Sequence, residues 1–336
     1  MGHFESDAAS CFDRIVMEMA LTCFRNGGAN HNVVKMWEST LQNAHHHIKT
    51  AYGTSHKCHK NTIQNPIIGP GQGSRGAVSA CAVTTSIAIK AYEKLATGFT
   101  GANPRKTVSY SSKIKMFVDD ASKYTNLFMR WIQTMPTITE VTQQLTSEAQ
   151  IWERCLWTLG GLLRLKKCLY YILYWKFDSE GKAYLAVPSR EQIVKIQSSE
   201  SSKSTRIKQY EPTTDHETLG HLISPSLDPS TAITKLQDIA SKFITTLHRC
   251  HLTRYELILA YYTVLIPRLT YTFATTMYKA TDLLQIQKKI AQAILPRLGY
   301  SSKTPTEVVY GSPKYGGISL RDLSIEQGIV KINIFF

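Results

Sequence analysis

Residues 113–120 have the sequence KIKMFVDD, and this stretch decides the fold class. Ile114, Met116 and Val118 alternate with lysine or phenylalanine, which is the period-two pattern of a half-buried β-strand. Asp119 and Asp120 follow at the position of a hairpin turn, and a return strand is predicted over residues 124–129. The stretch therefore predicts an antiparallel hairpin with two adjacent carboxylates at its turn.

A third carboxylate, Asp7, follows a short predicted strand over residues 3–6 and precedes the first predicted helix. Neighbouring strands of one sheet would bring Asp7 beside Asp119 and Asp120. Three carboxylates in one place repel each other unless a cation is present, and Mg²⁺ takes oxygen ligands together with substrate phosphates. Two such ions about 4 Å apart activate an attacking hydroxyl and stabilise a leaving phosphate. Each aspartate taken singly also fits a turn or a helix cap.

The remaining pattern predicts an α+β fold. Helices are expected from residue 12 to the glycine pair at 27–28 and over residues 32–49, 77–95 and 137–159. Aromatic strands are expected over residues 167–177 and 183–187, and a mobile polar loop over residues 198–205. From residue 231 onward the pattern is mostly helical, and a domain boundary is placed at residues 225–229.

Composition excludes several classes of protein. A chain of 336 residues with 43% hydrophobic content has about two domains' worth of sequence and can bury a core. No apolar run approaches the roughly 20 residues that span a bilayer, and the N-terminus lacks a signal-peptide pattern. Seven cysteines without a CxxC pair indicate reduced, intracellular thiols. The net charge of +14 is compatible with a polyanionic partner.

Six segments, in their order along the chain, resemble the reverse transcriptase of non-LTR (LINE-type) retrotransposons. They are residues 7–13 (DAASCFD), 69–74 (GPGQGS), 117–120 (FVDD), 165–168 (LKKC), 218–220 (TLG) and, toward the C-terminal end, Pro305 with residues 308–311 (VVYG) and 316–317 (GG). The resemblance covers residues 4 to about 328. It implies a right-hand polymerase palm, an antiparallel sheet backed by helices, over residues 1–225. A mostly helical thumb would follow over residues 226–336.

The resemblance also implies the chemistry, which is RNA-directed DNA synthesis by two-metal nucleotidyl transfer. Asp7 and Asp119 would bind two Mg²⁺ ions, with Mn²⁺ as an alternative metal. The backbone carbonyl of Ala8 would assist, and Asp120 would have a less direct part. Asp13 is interpreted as an acidic residue near a helix N-terminus, without a catalytic role.

Nucleotide contacts are implied for three further residues, Phe12 beneath the sugar and Gln72 and Gly73 at the incoming dNTP. For Phe12 a place in the core of the first helix is the competing interpretation. Lys167 would meet the triphosphate as a charge partner or as proton donor to pyrophosphate. Lys166 is the adjacent alternative, and either lysine is also compatible with a solvated surface position.

The thumb would hold an RNA template and a DNA primer by their phosphates. Its candidate residues lie along one predicted helix pair, whose basic side chains are also compatible with a solvated surface: Lys279, Lys288, Lys289 and Arg297. Residues 231–336 carry about twice as many basic as acidic residues. No membrane partner is expected, the family implies a nuclear site of action, and the sequence does not determine the oligomeric state.

The family's fingers precede the first palm motif, whereas Met1 lies six residues before Asp7, so a palm-and-thumb fragment with the fingers largely missing is expected. Whether it is an active enzyme is therefore left open. The alternatives are a non-catalytic nucleic-acid-binding fragment, an inactive remnant, and a metal-dependent phosphohydrolase. A separate cluster of histidines and Cys58 over residues 45–59 matches no closed zinc pattern, and surface or substrate-facing histidines are favoured there.

Overall fold

The computed structural model describes residues 1–9, 12–62, 69–70, 75–103, 105, 107–117, 120–126, 137–186 and 193–335. Their contacts divide the chain into two compact units, Met1–Pro212 and Thr213–Phe336. Helices and small sheets are both present, so the chain is a mixed α+β protein.

The first unit consists of seventeen named segments, given in chain order. They are β1 (Gly2–Asp7), α1 (Met17–Asn26), α2 (His31–Gln42), β2 (His45–Thr50), β3 (Gly53–Lys60), α3 (Arg75–Leu95), β4 (Phe99–Ala102), β5 (Ser109–Ser112), β6 (Ile114–Phe117), β7 (Asp120–Thr125), α4 (Ile138–Trp157), β8 (Leu169–Ile172), β9 (Tyr174–Phe177), β10 (Ala183–Ala186), β11 (Lys195–Gln197), β12 (Ser204–Arg206) and β13 (Lys208–Tyr210).

A five-stranded sheet in the order β13–β8–β1–β7–β6 forms the centre of this unit. β1 runs antiparallel to both β7 and β8, β6 runs antiparallel to β7, and β13 runs parallel to β8. Buried and half-buried residues alternate along β1, with Phe4 and Ser6 on the core side and Glu5 and Asp7 on the other. This period-two alternation gives the sheet one core face and one more open face.

Helices α3 and α4 pack beneath the core face. Phe4, Tyr92 and Trp152 are buried there, and burial of each such ring contributes about 2 kcal/mol or more to folding. Small residues along α3, such as Ala80 and Ala88, are fully buried and allow close helix packing. α4 begins at a capping box in which Thr137 and Glu140 satisfy each other's backbone N–H groups.

The hairpin that carries the paired carboxylates differs from its prediction. The return strand is β7 at Asp120–Thr125, whereas residues 124–129 were predicted. Phe117 pairs with Asp120 across the hairpin, and only two residues separate them in the chain. Asp120 is therefore the first residue of the strand, and residues 118–119 and 127–129 lie outside the described residues.

Four other predicted segments have different limits in the structure. The first helix begins at Met17, after a single 3₁₀ turn over Phe12–Arg14. The helix predicted over residues 32–49 ends at Gln42, because the following residues pair as the hairpin β2–β3. The aromatic strand over residues 167–177 is divided between the central sheet (β8) and a separate hairpin (β9–β10). The loop predicted over residues 198–205 is anchored, since Glu153 accepts bonds from Ser199 N and Oγ, each at 2.7 Å.

The second unit contains a short hairpin followed by helices. Its named segments are β14 (His216–Thr218), β15 (His221–Ile223), α5 (Ser230–Arg249), α6 (Arg254–Ala260), α7 (Ile266–Thr270), α8 (Ala280–Leu298), α9 (Thr306–Tyr310) and α10 (Leu323–Phe335). Leu219 and Gly220 connect β14 and β15 with φ of 51° and 79°, the left-handed values of a type I′ turn. Tyr271 Oη donates to Leu219 O at 2.8 Å, which ties the hairpin to the helices. The structural division after Pro212 therefore lies earlier than the boundary placed at residues 225–229.

One continuous helical stretch in the second unit, Arg254–Ala274, is long and apolar enough to cross a membrane by length and composition. The stretch departs from the expectation that no apolar run approaches the length that spans a bilayer. Leu257, Leu265, Leu269 and Phe273 of this stretch are buried in the second unit's core. In the most apolar part of this stretch, 39% is buried.

Candidate active site

The site is built where β1 and β7 lie side by side. The antiparallel register pairs Glu5 with Ser122 and Asp7 with Asp120, so the two aspartates are direct cross-strand partners. Opposed residues of an antiparallel pair have Cβ atoms about 5 Å apart and point to the same face. Asp7 and Asp120 are both half-buried. Two carboxylates that are more than one hundred residues apart in the sequence therefore lie next to each other in the sheet.

Asp7 has cationic neighbours from the segment between α4 and β8. Lys167 Nζ lies 3.0 Å from Asp7 Oδ2, and an Arg164 guanidinium nitrogen lies 3.9 Å from the same oxygen. Arg164 N also donates to Asp7 O at 2.9 Å, which fixes this segment against the end of β1. The Asp7 side chain is 19% exposed and that of Lys167 is 61% exposed. The ion pair is therefore accessible to a ligand.

Glu5 lies on the same half-buried face of β1 as Asp7, and its carboxylate already has partners within the sheet. Glu5 pairs with His3 at 2.7 Å and accepts from Ser122 Oγ at 2.8 Å. Burial acts to raise the pKa of Glu5, but the His3 hydrogen bond and charge and the Ser122 hydroxyl outweigh it, so the pKa is lowered. His3 in turn stacks on Tyr124 at 4.5 Å between ring centroids. Glu5 is thus held ionised and fully engaged within the sheet.

A buried lysine lies on the opposite face of the same strand pair. Lys123 Nζ donates to Ser6 Oγ at 2.7 Å and to Ala121 O at 3.2 Å. It also lies 4.8 Å from the ring centroid of Phe4 and 4.9 Å from that of Trp152. Burial lowers its pKa to about 7. These contacts link β1 and β7 next to the paired aspartates.

The structure describes only some of the predicted site residues. Asp119, Gln72 and Gly73 lie outside the described residues, as does the side chain of Phe12. Ala8 is buried and forms an isolated bridge with Leu163 just beyond β1.

The predicted thumb cations lie on or next to one helix, α8, whereas a helix pair was predicted. Lys279 precedes its first residue, and Lys279, Lys288 and Lys289 are exposed. Arg297 is half-buried, and its guanidinium donates to Cys250 O at 3.0 Å. Three of the four are therefore available to a partner, whereas Arg297 also fastens the end of α8 to the C-terminal end of α5.

The donor chemistry at Asp7 and Asp120 fits a divalent cation. Carboxylate oxygens are the ligands that Mg²⁺ prefers, and a typical site uses one or two carboxylates together with waters and substrate phosphates. Within the described part of the chain, no cluster of three or more histidine, cysteine or acidic side chains could hold a metal. Asp119, the third predicted ligand, precedes Asp120 directly in the chain.

Sequence reasoning named Lys167 but missed Arg164, the second cation beside Asp7, and the neighbouring acid Glu5. Arg164 and Glu5 carry no motif signal, although Arg164 belongs to the same basic run as Lys166 and Lys167. Lys123 was also missed, because it lies before the return strand predicted over residues 124–129, and a lysine is rarely fully buried.

No family model matches the chain, and no curated protein matches it. Among solved structures, the chain is similar to telomerase from Candida albicans, solved in complex with a TWJ fragment of telomeric RNA. The TM-score is 0.34 at 10% sequence identity, and the match covers 90% of this chain. The chain spans 45% of the length of that telomerase chain.

Proposed function

We propose that the chain is the palm and thumb of an RNA-directed DNA polymerase of the non-LTR retrotransposon type. The observation that carries the proposal is the direct pairing of Asp7 with Asp120 at the end of two adjacent antiparallel strands, with Lys167 3.0 Å from Asp7. The six motif segments carry the resemblance to this family, and the paired carboxylates are the groups that would bind the metal ions of the reaction. The first unit would be the palm and the helical second unit the thumb.

Each residue of the site has a role in this proposal. Asp7, Asp119 and Asp120, with the carbonyl of Ala8, would hold two Mg²⁺ ions. When bound, such ions polarise the primer 3′-hydroxyl and stabilise the leaving phosphate. The ion pair between Lys167 and Asp7 would break when Asp7 binds the metal. The Lys167 ammonium would then contact the triphosphate and protonate the departing pyrophosphate.

The remaining predicted residues would position the substrates. Phe12 would lie beneath the sugar of the incoming dNTP, and Gln72 and Gly73 would contact the nucleotide. Lys279, Lys288, Lys289 and Arg297 would grip the phosphates of the RNA template and DNA primer, which gives affinity without sequence preference.

Primer extension on an RNA template, with Mg²⁺ and separately with Mn²⁺, tests the proposal. We expect extension by the wild-type chain that is lost in Asp7→Asn and in Asp119→Asn. The matched control is Asp13→Asn, which removes an exposed carboxylate from a 3₁₀ turn and leaves extension intact. Absence of extension from a folded wild-type sample contradicts the polymerase proposal.

A non-catalytic nucleic-acid-binding protein is the second candidate, favoured by the net charge of +14. It predicts tight binding that weakens steeply as salt rises, without extension. Cleavage of nucleic acid without a primer would instead indicate a phosphohydrolase that uses the same carboxylates.

A further inference from the structure

The hairpin formed by β2, β3 and their turn, residues 45–60, projects into solvent. We call it the histidine hairpin. Every residue of β2 is exposed, and along β3 only Ser55 is half-buried. A strand in a folded domain ordinarily buries one face, so the exposure of both faces needs a different explanation from core packing. The extensive contacts of β2 and β3 are with each other.

The histidine hairpin carries basic and imidazole side chains and no acid. Three lysines, Lys49, Lys57 and Lys60, are spread over both strands, and five histidines accompany them. The chain contains no Asp or Glu between Glu38 and Glu93. Glu38 itself is paired with Arg25 at 2.8 Å, so its charge is neutralised within the helices. In the part of the chain that the structure describes, none of the three lysines has an ion-pair partner.

The conformation of the histidine hairpin is fixed by its own hydrogen bonds. A bulge interrupts the register after His47, and Ser55 organises it. Ile48 N donates to Ser55 Oγ at 3.0 Å, that hydroxyl donates to Lys57 O at 2.8 Å, and His47 Nδ1 lies 2.9 Å from Ser55 O. Bulges twist a strand and redirect its side chains. At the base, Asn61 Nδ2 donates to Leu41 O at 3.0 Å, which ties the hairpin to α2.

An aromatic ring stands at the tip of the histidine hairpin. Tyr52 lies in the turn between β2 and β3 and is fully exposed, at 101% of its reference area. Its backbone N–H donates to Thr50 Oγ1 at 3.2 Å, and Gly53 has a φ of 125°, a value that few other residues adopt. The turn therefore presents the Tyr52 ring with both faces open to solvent.

We propose that the histidine hairpin binds single-stranded nucleic acid, with Tyr52 stacking on a base and Lys49, Lys57 and Lys60 contacting phosphates. A basic surface joined to an exposed aromatic ring is the combination by which proteins bind single strands without sequence preference. A duplex keeps its bases stacked on one another and offers the Tyr52 ring no open face. The inference rests on the proposed function for its biological role, since an RNA template is single-stranded, but binding itself requires no catalysis.

Fluorescence anisotropy with labelled single-stranded RNA of about 12 nucleotides tests this inference. The full chain is used without primer, dNTP or divalent metal, so the result does not depend on polymerase activity. We expect Tyr52→Ala to weaken binding about 10-fold, because one base–aromatic stack contributes about 1–3 kcal/mol. We expect the triple variant Lys49→Gln, Lys57→Gln, Lys60→Gln to reduce the slope of log K against log salt by about 2.

The hairpin β9–β10 and its surroundings provide matched controls. Tyr184→Ala removes an exposed ring from another hairpin, and the triple variant Lys176→Gln, Lys182→Gln, Lys195→Gln removes the same charge from exposed positions. Both controls should keep the affinity within about 2-fold and leave the salt slope unchanged.

Three results would overturn the inference. The first is that both hairpin variants bind single-stranded RNA with the wild-type affinity. The second is that the control variants lose as much affinity as the hairpin variants, which would indicate general attraction of RNA to a basic protein. The third is equally tight binding of a duplex that is insensitive to Tyr52→Ala. If the wild-type chain shows no primer extension but binds single-stranded RNA in a way that depends on the histidine hairpin, the proposed function is contradicted and this inference stands.

Discussion

At the scale of single residues, the position of Asp7 shows which of two neighbouring lysines, Lys166 or Lys167, lies at the site. The sequence alone left this choice open. Lys167 lies 3.0 Å from the Asp7 carboxylate, whereas Lys166 is exposed and has no ion-pair partner among the described residues. The backbone of this segment is held beside the site, because Arg164 N donates to Asp7 O at 2.9 Å and Lys167 N donates to Arg164 O at 2.7 Å. The role of a proton donor is therefore assigned to Lys167 in the proposed reaction.

This assignment predicts unequal effects of two matched substitutions. Lys167→Met should reduce the rate of primer extension by about 100-fold, because it removes a general acid and a triphosphate contact. Lys166→Met should leave the rate within about 2-fold, since it removes only a solvated charge. Single-turnover extension on an RNA template measures both rates. Equal losses in the two variants would contradict the assignment.

Lys123 makes stability depend on pH. Its pKa in the folded protein is about 7, below the ordinary value of 10.5, because burial disfavours the ammonium. Below about pH 7 both folded and unfolded states are protonated, and the cost of burying the charge is fully present. Above that pH the folded state loses the proton first. Lys123 therefore makes the free energy of unfolding rise with pH, by up to about 1.4 kcal/mol per pH unit, until the pH reaches the unfolded pKa.

Substitution by methionine tests this dependence, because the side chain keeps its length between Phe4 and Trp152 and loses its charge. Lys123→Met should remove the increase in stability between about pH 7 and about pH 9 that the wild type shows. Urea unfolding at several pH values gives the comparison, with Lys166→Met as an exposed control. A Lys123→Met variant that keeps the wild-type pH slope would show that another group titrates.

At the scale of elements, the sequence pattern identified the helices α3 and α4 and the strands β1, β6 and β10, and it failed for several other short strands. The extents of α3 and α4 were predicted to within about two residues, because each has a long apolar stripe and α4 begins at Thr137 with Glu140 three residues later. The histidine hairpin was missed because its exposed strands have no apolar alternation to detect. The break between β8 and β9 was missed because aromatic residues continue through it.

One buried acid on α4 joins this helix to two other segments of the first unit, the connection after α3 and the strand β7. Glu148 Oε1 accepts from Thr97 N and Gly98 N, each at 3.0 Å, and from Thr125 Oγ1 at 3.2 Å. Glu148→Ala would leave buried donors without an acceptor, each of which costs about 1–3 kcal/mol. We therefore expect a loss of about 3 kcal/mol or more in urea unfolding.

Glu140 provides the matched control on the same helix. It is exposed and acts only in the capping box with Thr137, so Glu140→Ala should cost about 1 kcal/mol. A Glu148→Ala variant that is no less stable than Glu140→Ala would show that the buried carboxylate does not organise this junction.

At the scale of the whole molecule, the α+β class and the meeting of Asp7 with Asp120 on neighbouring strands were predictable, whereas the exact register of those strands was not. Residues 2–7, 120–125 and 164–167 converge on the paired aspartates, and no local pattern specifies that Asp7 faces Asp120 rather than a neighbour. A shift of one residue would place Asp7 on the core face, where a carboxylate without a partner is costly. The burial of Phe4 and Ser6 on the other side therefore selects the register that assembles the site.

The second unit has a hydrophobic core of its own. That core is formed entirely by residues of the second unit, including Leu236, Leu269, Phe273 and Ile294, each at most 2% exposed. A unit with its own core can fold alone. We expect residues 213–336, produced separately, to give a helical far-UV circular dichroism spectrum and one cooperative unfolding transition.

Two leucines make this expectation sharper, because cooperative unfolding of an isolated unit should respond to its core and not to its surface. In the separate unit, Leu269→Ala removes a fully buried side chain and should cost about 3 kcal/mol. Leu284→Ala removes one that is 43% exposed on α8 and should cost less than about 1 kcal/mol. Equal effects, or gradual unfolding of the wild-type unit, would show that its core forms only within the longer chain.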